Sequence, residues 1–483
     1  MLEQLLNLDK SDTYPFHMPG HKRQYRKGIV GEAFRLDITE ISGFDDLHDP
    51  KGLIKSLLER MRAYFGGDEA FFLVNGSTSG VLAAISAALP HGGKLLMARN
   101  SHKSAFDAAA IRGLKLSFLY PPIVEGWGFC GSIAPLDVER ALKEDASIGA
   151  VFLTSPTYEG IVSDICAIAD ICHGRGIPLI VDSAHGAHLG IYGPMGSDWN
   201  CPDALAAGAD IAIESLHKTL PAFTQTAMLL KKGNLLDSER LKYYISAYQS
   251  SSPSYIFMAG LEQCLDILEN EGQERFLRLC DMLSEFRHKI GALGHIRTAG
   301  EELLSLDAVY GYDPTKLLIS ADNLNGQDLS NILRDRYLLE LEMAVGKYCL
   351  ALTSLMDSRE GFDRLEKALE EIDRECGSAP FFKGDDRLCL SEAIREQRFV
   401  LFSISEALEA RKMALPLEKA ENGISAAFVY AYPPGIPILV PGERIDRSQL
   451  ILLKELQEEG STVRGLSPDG LWVMEGCSAW ISA

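Results

Sequence analysis

No two of the ten cysteines stand in a CxxC arrangement, and reduced thiols in an intracellular protein are the natural expectation. No stretch supplies about 18 consecutive apolar residues, which argues against a membrane-spanning helix. The N-terminal MLEQLLNLDKSDTYPFHMPGHKR lacks a positive segment followed by an apolar core, so no secretory signal is expected and the protein reads as cytoplasmic. Positive charge is in deficit: 47 Lys and Arg face 67 Asp and Glu, for a net charge of -20. A field of that sign repels phosphate backbones and argues against general nucleic-acid binding. It leaves open a phosphate-bearing ligand in one pocket, where local groups decide. Internal repeats and low-complexity tails are absent too.

What is present is a soluble globular composition, 46% apolar and 24% charged over 483 residues, enough for two or three domains with cores of their own. Residues 1–50 stand apart. Pro15, Pro19, Gly20, Gly31, Gly43 and Pro50 interrupt short apolar pieces, and His17, His21, Asp45, Asp46 and His48 add polar groups. This predicts a long irregular arm that is mobile or lies across another surface.

From residue 51 to about 295 the pattern is that of an α/β domain. Helical spacing over 53–66 ends at Gly66-Gly67, and a further helix is predicted over 79–89. Seven apolar runs read as strands: 70–75, 95–98, 116–120, 150–154, 178–182, 210–214 and 226–230. Helical stretches such as 135–144 and 166–176 separate several of them, so the sheet is expected to be covered on both faces. The short hop from 214 to 226 leaves little room for a crossover helix and predicts one antiparallel strand. Residues 258–294 read as helix leaving this domain, with Leu277, Met282, Leu283 and Phe286 on a buried stripe. A C-terminal region, 296–483, includes a smaller α/β domain. Within it LLSLDAV (303–309) and KLLIS (316–320) read as strands and 365–376 as a charged helix. After a polar stretch at 382–388, a last α/β piece begins at SEAIREQRFVLFSISEAL (391–408), and 433–442 forms a rigid Pro/Gly loop.

Three segments place polar residues directly after an apolar strand, where open α/β sheets present ligands. In VNGSTSG (74–80), Gly76 and Gly80 permit tight turns. The hydroxyls of Ser77, Thr78 and Ser79 stand at a helix start whose free N–H groups suit either phosphate or ordinary capping. In PLIVDSAHGAHLG (178–190), Asp182 is followed by His185 and His188. A metal site is one reading, but Gly186 and the turn-like spacing fix no ligand geometry, and an organic cofactor or a structural role is favoured. A carboxylate beside an aromatic nitrogen ring keeps that nitrogen protonated and lets the ring accept electrons. In IAIESLHKTLPAFTQ (211–225), a strand delivers Lys218 among Ser215 and His217. A lysine in a dry or positively charged pocket loses its proton and becomes a nucleophile toward a carbonyl carbon.

Taken together, HMPGHK (17–22), DITE (37–40), DDLHDPKG (45–52), NGSTSG (75–80), RNSHKS (99–104), TSPTYEG (154–160), VDSAHGAH (181–188), SLHKTLPAFTQ (215–225), SSPSY (251–255) and YPPGIPILVPGE (432–443) resemble the ornithine/lysine/arginine decarboxylase family. The resemblance covers almost the whole chain and is closest to the short form of the family. It implies a pyridoxal-phosphate enzyme of fold type I, the aspartate-aminotransferase-like fold. That fold has a large domain with a mainly parallel seven-stranded sheet and a smaller C-terminal α/β domain. It also implies residue roles. Lys218 binds pyridoxal phosphate covalently, Asp182 meets the pyridine nitrogen, and His102 and Ala184 lie on the two ring faces. Ser77, Thr78, Ser215 and His217 surround the phosphate, with Ser252 contributed from a neighbouring subunit, and His185 sits near the ring substituents rather than on a metal. Thr154 and Tyr158 belong to the same surroundings without an assigned contact. Two departures, Ser183 in place of a frequent Glu and Gly260-Leu261-Glu262 after SSPSY, leave these residues intact but weaken transfer of substrate preference.

The expectation is decarboxylation of lysine, arginine or ornithine to an amine and carbon dioxide, as in polyamine synthesis. Asp37, Glu40, Asp45 and Glu443 are candidates to meet the substrate's side-chain cation. Aminotransferase or aldolase-type chemistry is the enzymatic rival, and a cofactor-binding sensor without turnover is the non-enzymatic one. A homodimer or symmetric multiple, with arm and SSPSY segment near the subunit boundary, is implied by the resemblance.

Overall fold

The computed structural model describes residues 1–11, 13–15, 17–19, 21–24, 27–191, 201–377, 400–432, 435–458 and 462–476. The arm is less irregular than its prolines suggest. It holds two short helices, α1 (Leu2–Lys10) and α2 (Gly28–Phe34). Pro15 and Pro19 break only the chain between them. Buried Leu5 anchors α1, and Glu262 accepts from the Met1 amine at 2.9 Å and the Leu2 N–H at 2.8 Å. Next comes α3 (Leu53–Phe65), which buries Ile54, Leu57 and Met61 at helical spacing.

Eight strands follow: β1 (Glu69–Leu73), β2 (Lys94–Ala98), β3 (Lys115–Leu119), β4 (Ile148–Thr154), β5 (Ile161–Val162), β6 (Leu179–Asp182), β7 (Ile211–Glu214) and β8 (Ala227–Lys231). All but β5 join one sheet in the order β1-β8-β7-β6-β4-β2-β3. β3, β2, β4, β6 and β7 run parallel, whereas β8 is antiparallel to both neighbours, as the short hop before it requires. Both faces are buried. Alternate residues such as Phe72, Leu96, Val151 and Val181 point to one core, and Leu95, Phe152, Ile180 and Ile213 to the other. The intervening helices are α4 (Gly76–Ala88), α5 (Lys103–Arg112), α6 (Pro135–Glu144), α7 (Ile165–His173), α8 (Leu216–Thr219) and α9 (Ser238–Ala247). α4, α5 and α9 cover the second face, and α3, α6 and α7 the first. Gly80 lets α4 sit against the sheet: a Cβ there would stand 2.5 Å from Leu73 Cδ1 and 3.0 Å from Ile213 Cγ2.

The long helix α10 (Tyr255–Ile290) begins in the first core, through Leu261 and Leu265, and ends in another, through Leu279, Met282, Leu283 and Phe286. Leu277, expected on that stripe, is 59% exposed. The buried set steps by three and four from Leu279, and position 277 falls outside it. That core is completed by α11 (Gly326–Tyr337), α12 (Arg359–Cys376) and a four-stranded antiparallel sheet. The strands are β9 (Ile296–Thr298), then, past the two-residue β10 (Gly311–Tyr312) that pairs with β5, β11 (Lys316–Ala321), β12 (Met343–Val345) and β13 (Tyr348–Leu352). LLSLDAV is not a strand: a 3₁₀ turn spans Glu301–Ser305 and buries Leu303. The last piece packs strands Val429–Ala431 and Pro437–Leu439 against the helix Arg447–Glu458. The polar stretch at 382–388 and the first half of 391–408, residues 391–399, lie outside the described residues. Fully buried Arg99, just past β2, fastens this piece to the sheet. It donates to Pro437 O at 2.6 Å and pairs with Glu443 at 3.2 Å. Among the described residues, no helix is long and apolar enough to cross a membrane.

Candidate active site

The loops leaving β1, β6 and β7 meet at the carboxyl edge of the sheet and line a cavity of about 250 Å³. Ser77 and Thr78 stand in the first turn of α4, behind Gly76, whose φ of +74° opens the helix. Ser215 Oγ donates to Ser77 Oγ at 2.8 Å, which joins the β7 loop to the start of α4. His217 Nδ1–H donates to Thr226 O at 2.9 Å, and burial, with the nearby Lys218 charge, lowers its pKa. The result is a polar cradle of helix-terminal N–H groups, hydroxyls and a ring nitrogen.

Lys218, on the one-turn helix α8, lines the cavity. Its Nζ donates to His185 Nε2 at 3.0 Å. Burial lowers the pKa of Lys218, opposed by the charges of Asp182 and Glu342 and assisted by Lys316. His185 is driven well below the ordinary imidazole range by burial and by the charges of Lys218 and Lys316, so it faces Lys218 as a neutral acceptor. Asp182 ends β6 completely buried. Burial pushes its carboxyl up, countered by the Lys218 charge and by the Ala184 N–H donating at 3.2 Å.

His102 caps α5: its Nδ1 accepts from the Ser104 N–H at 3.2 Å, which leaves the ring proton on Nε2. Burial, with the charges of Lys218 and Lys103, brings its pKa down to about 4. Gly435 lies against the Cδ2–Nε2 edge of this ring, where a Cβ would be 3.1 Å from either atom, and its carbonyl accepts from the Lys103 N–H. Its neighbours Tyr432 and Ile436 also line the cavity, so the C-terminal piece roofs a site built by the large sheet.

Of the sequence-predicted residues, Ser77, Thr78, His102, Asp182, Ala184, His185, Ser215, His217 and Lys218 all line one cavity, as do Thr154 and Tyr158. Ser252 does not; it is exposed, near the His48–Ser250 hydrogen bond. His188 turns away to Asp313 at 3.1 Å, in a buried cluster where Lys316 also meets Asp313, at 2.7 Å. The four acids proposed for the substrate cation are engaged or placed elsewhere. Asp37 pairs with His21 at 3.2 Å, and Glu40 has a buried carboxylate oxygen away from the cavity lining. For Asp45, burial works to raise the pKa, but N–H groups at the start of α3 win and hold it low, and it serves as the cap of that helix. Glu443 is locked to Arg99. Asn100, Phe129, Tyr348 and Tyr432 were not singled out from sequence, although Asn100 lies inside the quoted RNSHKS and Tyr432 begins YPPGIPILVPGE.

Comparison with known proteins agrees over nearly the whole chain. Residues 1–326 match the family model of the Orn/Lys/Arg decarboxylase major domain, and 403–474 that of its C-terminal domain. An arginine decarboxylase of Bacillus anthracis is 32% identical over 470 residues, covering 95% of this chain and 93% of the relative. Another, from Halalkalibacterium halodurans, is 32% identical over 470 residues, covering 95% and 94%. A lysine decarboxylase structure from Francisella novicida shares the fold, with a TM-score of 0.81 at 19% identity over 98% of this chain and 80% of that one.

Proposed function

The chain belongs to the Orn/Lys/Arg decarboxylase family, and from that premise we propose how its residues carry out pyridoxal-phosphate-dependent decarboxylation of a basic amino acid, with L-arginine as the substrate. Arginine is favoured because both relatives at 32% identity are arginine decarboxylases. The observation that carries the reading is the Lys218 amine, buried with a lowered pKa, 3.0 Å from a neutral imidazole and in the same cavity as the buried Asp182 carboxylate.

Pyridoxal phosphate fits the residues present. Among the described residues, Asn100 Oδ1, Thr154 Oγ1 and His185 Nδ1 are buried without a hydrogen-bond partner, and all three residues line the cavity. Such atoms cost free energy unless a polar ligand meets them. Lys218 is the covalent anchor, Asp182 the partner of the pyridine nitrogen, and His102 and Ala184 the two walls. The phosphate falls to Ser77, Thr78, Ser215 and His217, with Ser252 of a second subunit added. When bound, the cofactor supplies a protonated ring that accepts the electron pair released as the bond to the α-carboxylate breaks.

The chain's own groups then have distinct tasks. Asp182, kept from water, presents its charge to the ring nitrogen at low dielectric, where it is worth most. His102 is held neutral and fixed by Ser104, so it adds a flat apolar wall and no competing charge. Lys218 Nζ, hydrogen-bonded to His185 Nε2, holds the proton that the α-carbon needs once carbon dioxide has left. Tyr432, Gly435 and Ile436 keep water from the His102 side.

The working form is inferred to be a homodimer. Met18, Ile29 and Val30 of the arm are strongly exposed apolar residues, as is Phe223 in the loop after Lys218, and a second copy would cover them. Carbon dioxide and amine measured with arginine, lysine and ornithine test the function. If cofactor-loaded protein decarboxylates none of them, the reading fails.

A further inference from the structure

Tyr158 is half-buried and lines the cavity. Its ring lies 4.2 Å from the His185 ring and 5.7 Å from Lys218 Nζ, centroid distances in both cases. Its hydroxyl donates to the carboxylate of Glu342, which precedes β12 in the second sheet. This hydroxyl and this carboxylate sit on two different layers of the fold, so the pair spans the junction between the large sheet and the second one. The neighbouring acid Glu159 also lines the cavity, but it is buried, accepts from Tyr348 Oη at 3.0 Å, and burial raises its pKa toward the neutral form. Glu342 by contrast is exposed. Among the described residues, no lysine or arginine forms an ion pair with it.

A carboxylate offers about four lone-pair sites and Tyr158 takes one. The carboxylate itself stands outside the cavity lining, but it meets Tyr158, which is part of that lining, and its charge acts on the Lys218 amine. A substrate whose α-amine comes to the position of Lys218 Nζ extends its side chain along the Tyr158 ring toward Glu342. We propose that Glu342, oriented by the Tyr158 hydroxyl, receives the cation at the end of the substrate side chain and so selects for a basic amino acid. The inference rests on the decarboxylase reading and adds the residue that reads the side chain. A guanidinium can engage both carboxylate oxygens while lying on the phenol face, whereas an ammonium makes a point contact.

The test uses cofactor-loaded protein and 5-guanidinopentanoate, which keeps the guanidinium and carboxylate of arginine but has no α-amine. Its neutral counterpart is 5-ureidopentanoate. Calorimetry on Glu342→Gln should show binding of the guanidino compound weakened about ten- to a hundredfold, the loss of a charged hydrogen bond, with the ureido compound little affected. Tyr158→Phe, which frees the carboxylate without removing it, should weaken guanidino binding less. The KM for arginine should rise in Glu342→Gln in parallel, with the cofactor absorption spectrum unchanged. Equal weakening of both compounds, weakening of neither, or no binding of the guanidino compound by the unmodified protein overturns the proposal. Failure of the decarboxylase reading is seen separately, as absence of carbon dioxide from every basic amino acid.

Discussion

Replacing Asp182 by Asn separates its electrostatic role from its structural one. The side chains are nearly isosteric, and Asn can still accept the Ala184 N–H that now donates at 3.2 Å. What disappears is a completely buried negative charge. Removing one partner of a buried charge pair costs about 3–5 kcal/mol. At 1.36 kcal/mol per tenfold, kcat at saturating cofactor and substrate should fall roughly 150- to 5,000-fold. Stability should move the other way. Burial raises the folded-state pKa of Asp182, so its contribution is fully present below the unfolded carboxylate pKa and is lost as pH rises through the folded value. At neutral pH the cofactor-free Asn variant should therefore melt no lower than the parent, and the advantage should vanish in acid. The assays are thermal melts from acid to neutral pH on cofactor-free protein and turnover on loaded protein. A kcat within threefold of the parent refutes the assigned role. A large fall in melting temperature at neutral pH would mean instead that the carboxylate holds the loop together.

Four further outcomes are expected. Lys218→Ala should abolish the absorption of covalently attached cofactor and lower turnover roughly a thousandfold or more; borohydride reduction and peptide mass analysis of the parent should place the adduct on Lys218. Because His102 is brought down to about 4, its contribution to stability is present above about 6.5 and lost as pH falls toward 4. His102→Asn, which can still cap α5, should show a shallower fall in melting temperature across that window. Glu443→Leu strands buried Arg99 and should cost about 3–5 kcal/mol in urea unfolding, while Arg99→Met with Glu443→Leu recovers much of it. Deleting residues 1–36 should shift sedimentation from dimer toward monomer and cut turnover about tenfold, more than it weakens cofactor binding.

Much of the site was legible because its residues follow apolar strands. Asp182 directly ends β6, and Lys218 comes four residues after β7, so strand periodicity and one polar cluster located both. The antiparallel β8 was legible from chain length alone. Register along α10 was not: Leu277 and Leu279 are equally apolar, and only contacts from α12 and the second sheet decide which is buried. Nor was the engagement of acids. Asp45 and Glu443 sit in motifs like the others, yet one caps α3 and one neutralises Arg99, partners 6 to 10 and 344 residues away. Glu342 lies outside every quoted motif, and only the second sheet brings it to Tyr158. Pairings between distant segments are set by tertiary packing, which local pattern does not encode.

The central claim is tested most directly with L-arginine carrying carbon-13 in its carboxyl group, incubated with cofactor-loaded protein in deuterium oxide. One labelled carbon dioxide should appear for each amine formed, and the amine should carry a single deuterium on the former α-carbon. A 2-oxo acid that retains the label, or consumption of arginine without labelled carbon dioxide, would contradict it.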